Sequence, residues 1–201
     1  MTSTTHEGAD APESTQTANT RIEYSAGVVR LGNIAPLALE EEATPDLVNT
    51  GDEDLENKTF ADFGVSDPVV DALEDQGIVH PFPIQALTLP PALERHDIIG
   101  QAKTGTGKTL GFAIPVLEDV IAPDEDGYEE LLNPGHPQAL IILPTRELTK
   151  QVATDLRGAA KYLSTRIVDI YGGVAFEPQI EALERGADIV VGTPGRLINL
   201  L

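Results

Sequence analysis

With 201 residues and 41% apolar content, the chain has room for one cored domain and a tail, and the core must be aliphatic because aromatics make up only 4%. Zero cysteines exclude disulfides and thiolate metal sites, and the four histidines, His6, His80, His96 and His136, are too scattered for a metal centre. The net charge of −20 excludes a uniformly basic face: residues 1–58 carry 12 acidic and 3 basic groups (−9) and residues 59–201 carry 21 and 10 (−11), so either polyanion binding is local or the protein is salt-adapted.

Residues 1–58 are polar and acidic with little periodicity, too poor in apolar groups to offset ordering entropy, and are expected to be a disordered acidic tail. Within it, 27–39 is more apolar and reads as a sticky linker, with docking onto a protein partner as the alternative. The acidic run 52–56 reads as a solvated linker. The first 20 residues lack a charged-then-apolar leader, and no apolar run approaches 18 residues, so a soluble cytoplasmic protein without membrane contact is expected.

From Thr59 the pattern changes. Ser66 is placed to cap a helix through Val69, Val70 and Leu73, ending at Gly77. Pro81 and Pro83 predict an extended approach to a helix carrying Gln85, broken at Pro90-Pro91. Asp97 to Gln101 reads as a strand. It leads into Ala102-Lys103-Thr104-Gly105-Thr106-Gly107-Lys108-Thr109, which opens a helix over Leu110 to Val120.

A strand, a glycine loop and a helix N-terminus in that order aim backbone N–H groups and the helix dipole at one point, which suits a polyphosphate. Lys108 then pairs with the β/γ-phosphates and Thr109 holds Mg²⁺, with Ala102 standing where the strict G-x-x-x-x-G-K-[ST] pattern has glycine. The bland alternative is a Gly-rich helix cap that binds nothing. Pro115 inside the next helix predicts a kink near Gly111.

Residues 122–137 form a long loop dense in Asp, Glu, Gly and Pro, expected to be a solvated excursion. Strands follow at Gln138 to Leu143, Ile167 to Tyr171 and Asp188 to Val191. Between them lie a helix with Leu148, Val152, Leu156 and Leu163 on one face and a second helix around Pro178 to Arg185. Strand alternating with helix predicts a three-layer α/β fold with a mostly parallel sheet, its ligands at the carboxyl ends of the strands.

Phe60 followed 17 residues later by Gly77-Ile78-Val79-His80-Pro81-Phe82-Pro83-Ile84-Gln85, the phosphate loop, Pro144-Thr145-Arg146-Glu147-Leu148, Gly172-Gly173 and Thr193-Pro194-Gly195-Arg196-Leu197 resembles the DEAD-box family of ATP-dependent RNA helicases, N-terminal RecA-like domain, over roughly 59–201. The resemblance implies ATP and Mg²⁺ as cofactors and RNA as partner. It assigns Phe60 and Gln85 to adenine, and Ala102, Thr104, Gly105, Thr106, Gly107, Lys108 and Thr109 to phosphate and metal. A side-chain amide can match adenine N6 and N7.

By the same resemblance Pro144, Thr145, Arg146, Gly172, Gly173, Thr193 and Arg196 grip the RNA backbone, without reading bases; ordinary turn chemistry, with Arg146 paired to Glu147, is the alternative. Phe82 stands where the family has Thr or Ser, and Thr149 where it has Ala. The 201 residues contain neither Asp-Glu-Ala-Asp nor Ser-Ala-Thr. An incomplete RecA-like domain without hydrolysis is therefore expected, with an unpaired interior sheet edge beside Ile98 and Ile99. A noncatalytic fragment that binds nucleotide, RNA or a partner is the competing reading, and another P-loop ATPase or a DNA helicase a third.

Overall fold

The structure is a computed structural model that describes residues 27–28 (backbone), 57–103 and 105–200. Its sheet contains β1 (Gly27–Val28), β2 (Ala139–Ile142), β3 (Ile167–Ile170) and β4 (Ile189–Gly192), in the order β1-β2-β4-β3. β2, β4 and β3 are parallel, and β4 lies between its two partners with all four residues buried. A strand covered on both faces reads as an unbroken apolar run, as Ile189-Val190-Val191 does. Gly27 and Val28, which the composition places in an unstructured tail, instead pair antiparallel with Ile142 and Ile141. The rest of 1–56 lies outside the described residues.

The helices are α1 (Asp67–Glu74), α2 (Pro83–Leu93), α3 (Lys108–Asp119), α4 (Arg146–Ala159), α5 (Glu177–Glu184) and α6 (Pro194–Ile198). Side-chain alternation sorts the sheet into two faces. Ile141, Ile189 and Val191 join a core with Phe60, Val69 and Leu73 below α1, Ile114 and Leu117 of α3, and Val152 and Leu156 of α4. Leu140, Val190 and Ile170 face the other way, onto Leu183 of α5 and Leu197 of α6. This is the expected three-layer RecA-like architecture. Among the described residues no helix is long and apolar enough to cross a membrane.

Four local expectations are corrected. Ser66 does not cap α1 with its side chain; its hydroxyl and its N–H both donate to Glu118 Oε1, at 2.8 and 3.1 Å, tying α1 to α3. α2 runs through Pro90 and Pro91 instead of breaking there: in a final turn the prolines cost two donors, but their carbonyls accept from Glu94 and His96, and Arg95 at φ +65 ends the helix. The 122–137 loop is docked, with Tyr128 buried and hydrogen-bonded by Arg166, Ser164 Oγ donating to Asp124 at 2.7 Å, and Gln138 closing on both backbone groups of Ile121.

The fourth correction concerns Asp97 to Gln101, which is not a strand: no described strand runs beside it to complete a ladder, and Ile98 and Ile99 are 39% and 97% exposed. Below this segment an apolar trough of about 1260 Å³ opens beside α3, over the face of the sheet that carries Leu140 and Val190.

Candidate functional site

The phosphate loop is built on the joint between α2 and α3. Gly105 (φ +82) and Gly107 (φ +72) take the left-handed backbone that L side chains avoid. Gly107 is the N-cap of α3, with no side chain capping it and no acidic residue in the first turn, so the helix's first N–H groups are left for an anion. A Cβ at Gly107 would lie 2.4 Å from Gln85 Nε2 and 2.8 Å from Phe82 Cδ2, so the loop's last glycine is fixed by crowding as well as by φ. Lys108 donates to the carbonyls of Ala102 and of Lys103, the latter at 2.9 Å, and Thr106 Oγ1 closes on Lys103 O at 2.8 Å. The Lys108 ammonium therefore sits inside the loop's own curve, where phosphate oxygens would compete with two carbonyls. Thr109 follows in the first turn of α3, half-buried. Thr104 lies outside the described residues.

Gln85 and Phe60 are placed differently from expectation. Gln85 is fully buried: its Oε1 accepts from Phe82 N–H at 2.8 Å and its Nε2 donates to Gly107 C=O at 2.7 Å. It is a strut between the start of α2 and the start of α3, and the structure does not present it to a base. Phe60 is 1% exposed and belongs to the core with Val65, Val69 and Leu73, so its ring offers no stacking face. Burial of an aromatic is the outcome that area alone favours. The aromatic against the loop is Phe82, 53% exposed.

The second cluster lies at the carboxyl edge of the sheet. Ile142 and Ile170 are both register partners of Gly192, so the loops at Pro144–Thr145, Thr193 and Gly172–Gly173 leave the sheet at one level. Thr145 caps α4, its Oγ1 accepting from Leu148 N–H at 3.2 Å, while buried Thr149 donates its hydroxyl to Thr145 O at 2.9 Å. Gly173 (φ +82) faces Arg146, whose Nη1 is 3.1 Å from where a Cβ would stand. Arg146 also touches Glu147 at 3.2 Å across an exposed pair, so its guanidinium remains available. Glu147 is held below the usual carboxylate range, first by its own backbone N–H in the first turn of α4 and then by Arg146. Lys150 adds a positive charge 5.1 Å over the Tyr171 ring.

Arg196, expected to point at an anion, is instead buried. It donates to Val174 O at 2.8 Å and stacks 3.8 Å from the Phe176 ring centroid. Gln179, which the sequence reading did not single out, completes the support: its Oε1 accepts from Tyr171 N–H at 3.1 Å and its Nε2 donates to Ala175 O at 3.1 Å. Together they hold the Gly172–Gly173 turn from below. Nothing in the residue pattern signals Gln179, a single glutamine in a short polar helix. Register brings the three edge loops together but not the phosphate loop, because 97–101 is outside the sheet.

A family model described as DEAD/DEAH box helicase matches residues 82–201. The chain is 48% identical over 152 residues to the DEAD-box ATP-dependent RNA helicase 3B, chloroplastic, of Zea mays, covering 75% of this chain and 20% of that protein. Among solved structures, a DEAD box protein from the hyperthermophile Methanococcus jannaschii aligns at TM-score 0.60 and 38% identity, over 70% of this chain and 36% of that one. An RNA helicase from Chaetomium thermophilum, solved bound to ADP, aligns at TM-score 0.62 and 38% identity, over 72% and 34%. The chain thus spans about a fifth of the length of its maize relative and about a third of the solved chains. Because the family match covers more than half of the residues, the glycine cradle and edge loops among them, the chain belongs to the DEAD/DEAH box helicase family.

Proposed function

We propose that these residues form the nucleotide-gripping and RNA-gripping part of an ATP-dependent RNA helicase. The observation that carries this reading is the uncapped α3 N-terminus behind two left-handed glycines, with Lys108 curled inside the loop. A polyphosphate fits such a cradle because it supplies the acceptors that the first-turn N–H groups lack and exchanges with the carbonyls now holding Lys108. Members of this family hydrolyse ATP, and bound ATP supplies the phosphoryl group whose transfer drives remodelling. Thr109 is the protein's contribution to Mg²⁺; among the described residues no cluster of three or more acidic or His side chains stands ready for a metal.

On the sheet edge, Arg146 and the Gly172–Gly173 turn take RNA phosphates, with Thr145 and Thr193 offering hydroxyls and Lys150 adding local charge. Arg196 and Gln179 act on RNA only through the turn they support. None of these groups is shaped to read a base edge, so binding is indifferent to sequence, and the local basic edge reconciles phosphate binding with a net charge of −20. The tail serves as a docking segment for protein partners in this reading. In the 201-residue chain ADP binding is expected to fall at least tenfold in Lys108→Ala, measured by calorimetry. No RNA-stimulated hydrolysis is expected, because the chain carries no Asp-Glu-Ala-Asp to orient the attacking water. RNA-stimulated turnover by the purified chain, lost in Lys108→Ala, would show the second half of this reading to be wrong.

A further inference from the structure

β2 has an edge that the parallel ladder leaves open. Ala139 N–H donates to Asp188 O at 3.2 Å and Leu143 N–H to Gly192 O at 2.9 Å, so the odd-numbered residues of this stretch turn their backbone groups to the β4 side. Alternation turns those of Leu140 and Ile142 the other way, to the edge where Gly27 and Val28 lie antiparallel. Gly27 opposite Ile142 is therefore a hydrogen-bonded pair, and Val28 opposite Ile141 a non-bonded one. The next bonded rung belongs to Leu140, and the same register sets Val29 across from it.

The sequence continues as Val29-Arg30-Leu31 and then Gly32-Asn33, a turn pair that ends a strand. Residues two apart share a face of the sheet, so the register sets Val29 and Leu31 on the face of Leu140. That face is a wall of the apolar trough, which Leu140 and Gln138 line from the sheet and Phe112 and Val116 from α3. An open strand edge beside apolar surface is a template for any extended chain. The residues that follow Val28 supply both the backbone groups and the apolar side chains that suit it.

We propose that the strand begun by Gly27 and Val28 runs on through Leu31, pairs Val29 with Leu140, and lays Val29 and Leu31 over the trough, so that the N-terminal tail caps the β2 edge of its own chain. A tether as long as 32–56 spans roughly 25–30 Å as a random chain, and keeps the strand at a roughly millimolar effective concentration. At micromolar protein the tail of the same chain therefore outcompetes the tail of a second copy. So short a strand is detachable, and a protein that grips the tail uncovers the edge.

The test is NMR on the full chain. A cross-strand Hα–Hα contact between Arg30 and Ala139, the next non-bonded pair, is expected in the unmutated chain, together with slow amide exchange at Leu140. Val29→Pro removes the N–H offered to Leu140 C=O, and Leu31→Asp puts a charge over the trough. Each should speed exchange at Leu140 about tenfold or more, while Leu143, bonded to Gly192, changes less than about twofold. Asn49→Pro, outside the strand, should change neither. Absence of the Arg30–Ala139 contact in the unmutated chain overturns the proposal. So does exchange at Leu140 that neither variant alters, or a contact found only between chains in an isotope-mixed sample, which would assign the edge to a second copy. Equal losses at Leu143 and Leu140 would mark general unfolding of a variant, and the Arg30–Ala139 contact in the unmutated chain then decides alone.

Discussion

The contrast between Arg146 and Arg196 shows how two arginines in comparable post-strand loops acquire different tasks. Arg146 is exposed beside Gly173, whereas Arg196 spends its donors on carbonyls of the neighbouring loop. Arg146→Ala should therefore weaken single-stranded RNA uniformly across sequences and reduce the slope of log K against log salt by about one. Arg196→Ala should cost stability as well, roughly 1 kcal/mol by urea denaturation, because the Val174 and Ala175 carbonyls lose their donor. A third arginine is purely architectural. Arg166 clamps both oxygens of the fully buried Asp188, at 2.7 and 3.0 Å, and a Cβ at Gly186 would strike its guanidinium. Arg166→Ala leaves an unpaired buried carboxylate and should destabilise by about 3–5 kcal/mol in the same measurement. Arg146 and Arg196 were legible in the sequence as phosphate ligands, but the direction each side chain takes was not. Arg196 turns inward because carbonyls of the loop at 174–175 and the Phe176 ring lie under it, and that is a fact of chain crossing rather than of local pattern.

At the scale of elements, β2, β3, β4 and α5 appear where periodicity places them, within a residue or two, whereas α4 ends at Ala159, short of the expected Leu163, and α6 was not anticipated. α4 has a strong apolar stripe, and β4 is buried on both faces. The misreadings cluster where a partner decides the outcome. Ile98 and Ile99 have strand propensity without a described neighbour, Ser66 found a better acceptor in Glu118 than its own helix, and Tyr128 anchored a loop whose composition reads as solvated. A contact of this type also links α1 to the end of α4: Asp75 accepts from Lys161 and from Tyr162, both at 2.5 Å. The Lys161 hydrogen bond, then that of Tyr162, holds the Asp75 carboxyl below its ordinary value. A lowered carboxyl pKa stabilises the fold fully above the unfolded value near pH 4 and loses that contribution as pH falls through the lowered one. The melting temperature should accordingly drop below about pH 4, and Asp75→Asn should flatten that drop while lowering the neutral-pH value only slightly, since the pair is exposed.

For the molecule as a whole, the exposed Ile98–Ile99 segment above a wide apolar trough is an aggregation hazard. Ile99, at 97% exposure, contacts little that a lysine would disturb. Ile99→Lys should raise the concentration at which static light scattering first detects aggregates, several-fold by the usual effect of a charge in an apolar edge, without changing the circular dichroism spectrum.

The order of the sheet governs when it can exist at all. β2 and β3 are not neighbours; the parallel ladders of both run to β4, the last of the four described strands along the chain. A growing polypeptide that has made residues 139–170 therefore holds β3 without its partner, and β2 with only the two-residue β1 beside it, until residue 192 emerges. At ordinary synthesis speeds that wait is roughly 1 to 4 s. Assembly is cooperative and late, set by loop closure rather than by any local preference, and for that interval the nascent chain depends on being kept from its neighbours.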